Sequence, residues 1–287
     1  MVILFDVLAR LPLPVLHRLG ALFGWVSYLS SSGYANRMRE NLSNAGLTSS
    51  TPEMRSLLRA NIREMGKGVL ELPWVWRRPL ENVLLGIKQC YGWEHIEAAH
   101  AQGKGVIALT PHMGCFEIIS LFIASRMPIT TMYRPSRWEF LDKLMLEGRK
   151  RGQTKLAPTD LGGVRLLLRA LKRAEIIGVL PDQVPGNGEG EWAPFFGRPA
   201  YTMTLIGRLA EASGATVVMC RSRRLPRGEG YALYFTPLVF DMAKSIPVQL
   251  NAALETEIRK CPEQYLWSYN RYKVPRGAMP PDANKEP

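Results

Sequence analysis

The chain has 287 residues, with 37 Lys and Arg against 25 Asp and Glu, a net charge of +12 and 46% apolar residues. That is enough apolar sequence for one elaborated domain with a sizeable core, which excludes an intrinsically disordered chain, and the excess of cations favours acidic partners. The cations are dispersed, with denser spots at Arg149–Arg151, Arg169–Arg173 and Arg221–Arg227, and no zinc-finger or RNA-binding signature accompanies them, so nucleic acid is not the expected partner. The four cysteines, Cys90, Cys115, Cys220 and Cys261, are far apart and lack CxxC spacing, as expected of reduced residues in a protein exposed to the cytoplasm.

In chain order, residues 1–35 are expected to form an N-terminal apolar helix. Its cleanest stretch, Leu19–Leu29, is short of the roughly 20 apolar residues that a membrane span needs, and no small-residue cleavage site follows it. Trp25, Tyr28 and the basic stretch at Asn36–Asn41 fit a helix lying on an anionic membrane surface. Packing against the protein's own core is the competing reading. Thr51–Val75 reads as a helix started at Thr51-Pro52-Glu53 and ended by Pro73. Leu84–Ile96 reads as one or two strands, with a short helix to Gly103.

Val106–Leu109 is a short aliphatic run that stops at Thr110-Pro111, and His112 and Glu117 follow around a turn at Gly114 before a second apolar run. On a regular helix an i, i+5 pair sits roughly 140° apart, so the two side chains meet only if His112 lies in the turn. A carboxylate on one imidazole nitrogen fixes the tautomer and leaves the other as a base. Further strands are expected at Ile129–Arg134, Ile176–Leu180, Ala215–Cys220 and Tyr231–Phe240, with helices at Trp138–Gly152, from Thr159-Asp160 to Arg173, Thr202–Ser213 and Ser245–Cys261. Such alternation predicts an α/β fold: a central, mostly parallel sheet covered by helices on both faces. The expected division is a helix at 1–35, an α/β domain at 36–275 and a tail at 276–287.

Three other polar or aromatic groups follow expected strands or fill a loop, as ligand-binding residues of α/β proteins do. They are Tyr133-Arg134-Pro135, Pro181-Asp182-Gln183 and, in a Gly- and Pro-rich loop, Phe195-Phe196-Gly197. Arg134 suits either an oxyanion or a phosphate, and the residues alone leave both open. No G-x-S-x-G elbow appears, so a covalent serine intermediate is not indicated, and His112 is the candidate base. A hydrolase using the same base, or a lipid-binding protein without catalysis, are the rival classes.

With these elements in this order, the chain resembles the bacterial lipid A biosynthesis acyltransferases, the late lauroyl/myristoyl group of the lysophospholipid acyltransferase-like superfamily. His112 and Glu117 match its H-x4-D/E box, and the Tyr133-Arg134-Pro135, Asp182-Gln183 and Phe195-Phe196-Gly197 elements match its later blocks. The C-terminal Trp267–Lys273 block departs from the family's W-x-H-R-R-[FY]-K at Tyr269-Asn270. The resemblance implies acyl transfer from an acidic acyl carrier protein to a hydroxyl of a lipid A precursor, without cofactor or metal. It also implies a place on the cytoplasmic face of the inner membrane. His112 and Glu117 are then the catalytic pair, and Arg134, Asp182, Gln183, Phe195, Phe196, Arg149 and Arg151 the substrate-binding candidates, with Arg165 a further cation for the carrier or a phosphate. The E-G-T-R box of glycerolipid acyltransferases is absent, which sets lysophospholipid or aminolipid acceptors behind lipid A precursors.

Overall fold

The computed structural model describes residues 2–186 and 188–281. The N-terminal region is two helices, α1 (Val2–Arg10) and α2 (Leu13–Ser30), broken where Pro12 precedes the new helix start, and then α3 (Ser32–Asn44). α4 (Thr51–Leu70) is capped by the Ser50 hydroxyl. Pro73, expected to end that helix, instead sits in the first turn of α5 (Leu72–Arg77), where its missing N–H costs nothing. The short α6 (Leu80–Leu84) leads into the sheet.

Alternating elements follow: β1 (Ile87–Tyr91), α7 (Trp93–Ala101), β2 (Val106–Leu109), α8 (Glu117–Ala124), β3 (Ile129–Tyr133), α9 (Glu139–Arg149), β4 (Thr154–Pro158), α10 (Leu161–Lys172) and β5 (Ile176–Val179). A two-stranded hairpin, β6 (Gly190–Phe195) and β7 (Arg198–Met203), stands where the Gly- and Pro-rich loop around Phe195-Phe196-Gly197 is expected. Then come α11 (Leu205–Ser213), β8 (Thr216–Arg224), β9 (Tyr231–Leu238) and α12 (Ile246–Lys260). The seven-stranded sheet has the order β1-β9-β8-β2-β5-β3-β4, in which β8 and β9 pair antiparallel and the other neighbours pair parallel.

The central strands are buried on both faces, as their unbroken aliphatic runs require. Ile107 and Leu109 of β2 join a core with Leu167, Leu209 and Leu254, whereas Val106 and Ala108 join a second core with Ile118, Phe122 and Ile96. The expected α/β sheet with helices on both sides is the one observed.

α2 is part of this body. Its Gly20 and Gly24 lie on Gly66 of α4 so closely that a Cβ at Gly24 would stand 2.0 Å from the Ile62 carbonyl oxygen. Leu13, Leu16 and His17 are buried, and Leu16 and Leu13 belong to the second core. The opposite face carries Val15, Leu19, Leu22, Val26 and Leu29, spaced alternately by four and three residues, all exposed. No helix among the described residues is long and apolar enough to cross a membrane. The expected tail at 276–287 is described only to residue 281, and its remainder lies outside the described residues.

Candidate active site

β2 and β5 run side by side in register, with Leu109 opposite Val179. Three residues past that pair, each strand delivers a polar side chain, His112 from one and Asp182 from the other. The carboxyl ends of adjacent parallel strands bring together what the sequence separates by 70 positions. Asp182 is buried, and its Oδ2 accepts the His112 backbone N–H at 2.9 Å while Oδ1 lies 2.7 Å from His112 Nδ1. Burial alone would raise this carboxyl. The charge and hydrogen bonds of His112 outweigh burial and hold it below the ordinary aspartate value. The ionised carboxylate accepts from Nδ1–H, so in the neutral form of the ring Nε2 keeps its lone pair, and the Gln183 side-chain amide donates to it at 3.1 Å. Phe116 packs on the imidazole, ring centroids 4.9 Å apart.

The expected contact between His112 and Glu117 is not made. Glu117 opens α8, and its side chain meets Trp76 of α5 and Arg149 of α9 instead. Arg149 Nε donates to Glu117 Oε2 at 2.9 Å, Arg149 Nη2 donates to Oε1, and Trp76 Nε1 donates to Oε2 at 3.2 Å. Burial would raise the Glu117 carboxyl, and Arg149 with Trp76 more than offsets this and lowers it. Glu117 is an ionised partner of Arg149, and Asp182 holds the imidazole. The pair caps a narrow cavity of about 40 Å³ lined by Ala108, Ile119, Ile123, Ile129, Gly178 and Leu180 among others.

The remaining expected site residues divide. Arg134 is exposed at the end of β3. Arg151 spends its guanidinium on the carbonyls of Val75, Arg78 and Gly148 and acts as a staple between α5 and α9. Arg165 lies exposed on α10. Phe195 and Phe196 are core residues, not a loop surface: they pack against Tyr265, Trp267 and Tyr272, and Phe195 is 1% exposed. The hairpin presses the pair inward, where aromatic side chains bury the most area.

The C-terminal segment does something that its residue types do not announce: it grips the turn that carries His112. Met113 pairs with Tyr265 in an antiparallel bridge, Leu266 N–H donates to the His112 carbonyl at 3.1 Å, and Gly114 N–H donates to the Gln264 carbonyl at 3.0 Å. Tyr269, one of the two departures from the C-terminal pattern, accepts the Val184 N–H on its hydroxyl at 3.0 Å and so steadies the strand-end loop carrying Asp182 and Gln183. Arg271 is buried and donates to the Tyr201 carbonyl at 2.8 Å, Thr202 Oγ1 at 2.7 Å and Asn251 Oδ1 at 3.1 Å, which ties the hairpin to α12.

Comparison with known proteins places this geometry. Residues 1–274 match the model of a family described as bacterial lipid A biosynthesis acyltransferase. The chain is similar to the lipid A biosynthesis lauroyltransferase of Escherichia coli (strain K12), at 29% identity over 94% of this chain and 89% of the relative. It is also similar to the lipid A biosynthesis palmitoleoyltransferase of the same organism, at 27% over 92% and 87%. A lipid A biosynthesis acyltransferase of Haemophilus influenzae is 28% identical over 92% and 86%. The chain thus belongs to the bacterial lipid A biosynthesis acyltransferase family and is an acyltransferase.

Proposed function

We propose that the chain moves a fatty acyl group from an acyl carrier protein thioester to a hydroxyl of a lipid A precursor, with His112 as general base. The observation that carries this reading is the His112 ring held between Asp182 and Gln183 at the carboxyl ends of the central strands. The acceptor hydroxyl takes the place of the Gln183 amide against Nε2. His112 removes its proton as the oxygen attacks the thioester carbonyl. The tetrahedral intermediate then collapses, the C–S bond breaks, and the imidazolium returns the proton to the leaving carrier thiolate. Asp182 stabilises the imidazolium while it exists. Arg149, its charge balanced by Glu117, borders the small cavity lined by Ile119, Ile123 and Ile129 and is the candidate donor to the carbonyl oxygen as negative charge develops there. Exposed Arg134 suits an acceptor phosphate. The net charge of +12 favours an acidic carrier as donor.

The outward stripe of α2 lies in the plane of an anionic bilayer, which exposed Arg18 on the same helix and Arg10, Arg37 and Arg39 on the flanking helices would favour. Each large apolar side chain gains about 1.5–3 kcal/mol on full burial, so a stripe of five is a substantial anchor. Leu22→Glu, Val26→Glu and Leu29→Glu together should shift the protein from sedimenting with anionic vesicles to the supernatant. The fold should survive, because these side chains are 64%, 56% and 77% exposed. Unchanged sedimentation would mean that the anchor lies elsewhere.

Mass spectrometry of a lipid A precursor incubated with purified protein and acyl carrier protein thioester tests the transfer. The expected product is heavier by one acyl chain. Fatty acid released at the same rate with and without acceptor would identify a hydrolase, and acylation of a lysophospholipid in place of the precursor would identify another acceptor.

A further inference from the structure

A buried ionic cluster lies beneath the His112 turn and touches none of the groups assigned to the chemistry. Arg224, the last residue of β8, is 4% exposed. Its Nε donates to the two Glu71 oxygens at 3.0 and 2.9 Å, and its Nη1 to Glu64 Oε2 at 3.3 Å. Its Nη2 donates to Glu71 and, at 2.9 Å, to the carbonyl of Gly114, two residues from His112. Glu71 also accepts the Tyr231 hydroxyl at 3.0 Å and lies 3.3 Å from His17 Nε2 on α2. Lys67 pairs with the other Glu64 oxygen, and the Cys115 thiol is buried close by.

The Arg224 main chain is locked as well. Its N–H donates to Gln264 Oε1 at 2.8 Å and its carbonyl accepts from Gln264 Nε2 at 3.1 Å, while the Gln264 carbonyl holds the Gly114 N–H. Gly114 is thus gripped at both of its polar atoms. Its φ of +57° and the 2.1 Å that would separate an added Cβ from the Ser222 carbonyl oxygen leave glycine as the residue that fits. A buried ion pair adds little net stability over apolar residues of similar volume, so stability alone does not account for a charge here. What an apolar replacement cannot do is donate to the Gly114 carbonyl. A planar trans peptide then fixes the direction of the Cys115 N–H as well.

We propose that Arg224 is a positioning residue for acyl transfer: anchored by Glu71, it holds the Gly114 carbonyl and thereby the placement of His112, and through His17 it ties that turn to the membrane-facing helix α2. The inference rests on the reading of His112 as the base.

Two variants test it. Arg224→Lys keeps the charge and loses the forked donor set. The double variant Arg224→Met, Glu71→Met removes the ion pair as a unit, a change that buried pairs often tolerate. A misplacement of about 1 Å can cost on the order of 10²-fold in rate, so kcat should fall roughly 10- to 100-fold in whichever variant folds. KM for acyl carrier protein thioester and for the precursor should stay within about threefold, because the binding surfaces are untouched. A folded variant with wild-type kcat, or one whose loss lies wholly in KM, overturns the role of Arg224. Wild-type protein in the same assay separates the two failures: if it transfers no acyl group, the functional reading falls, whereas an active wild type beside an equally active variant removes the Arg224 role alone.

Discussion

Replacing His112 with alanine is expected to lower kcat by about 10²–10⁴-fold, the range that general base catalysis contributes. The imidazole presents a lone pair fixed in direction at the strand ends, because Asp182 accepts the hydrogen bond from Nδ1–H and so holds that proton on Nδ1. The Glu117–Arg149 pair is held by contacts other than His112 and stays in place, so under this proposal the loss should fall on kcat. The ring is 15% exposed and packs mainly on Phe116, so unfolding should shift little. Steady-state kinetics with thermal unfolding checks both halves, and transfer near the wild-type rate would remove the base assignment.

Asp182→Asn is expected to cost nearly as much, on the order of 10²–10⁴-fold, with almost no change in volume. An asparagine amide that donates to Nδ1 drives the ring proton to Nε2, the nitrogen that must accept from the acceptor hydroxyl. The backbone N–H of His112 would also lose its ionised acceptor. The substitution should alter acid stability as well. The Asp182 carboxyl is held below its ordinary value in the fold, so it stabilises the native state above the unfolded aspartate pKa and loses this as the pH falls through the lowered value. The amide that replaces it has no such proton to bind, so the variant's unfolding free energy should fall less steeply on acidification. A variant with wild-type kcat, or with an unchanged acid slope, would count against the role of the Asp182 carboxylate on the ring.

The two strand-end groups are legible in the sequence, but their partnership is not. His112 and Asp182 each follow an aliphatic run and a proline, a local pattern that single-sequence reasoning detects. That they meet depends on β2 lying next to β5 in register, and strand order is set by packing across the whole sheet. Glu117, five positions from His112, is the nearer partner in sequence alone. The α8 helix carries it off toward Arg149 and Trp76, which local spacing does not encode.

The missed elements have similar causes. β4 is an edge strand with most of its residues at least partly exposed, so it lacks the apolar signal of a central strand. The hairpin sets Pro194 opposite Pro199 and has Gly190 at its start and Gly197 at its turn, a composition that reads as loop; a two-stranded ribbon outside the main sheet tolerates it. Phe195 and Phe196 read as loop residues for the same reason, and the C-terminal aromatics that bury them lie some 70 residues away. The gripping of the His112 turn by residues 264–266 is carried by main-chain hydrogen bonds, which leave no trace in residue types.

Single-turnover rates of the His112→Ala, Asp182→Asn and combined variants bear most directly on the imidazole–carboxylate unit. If Asp182 acts through the ring, the double variant is no slower than His112→Ala alone. Losses that multiply would show that the carboxylate works on its own, and the unit would have to be abandoned.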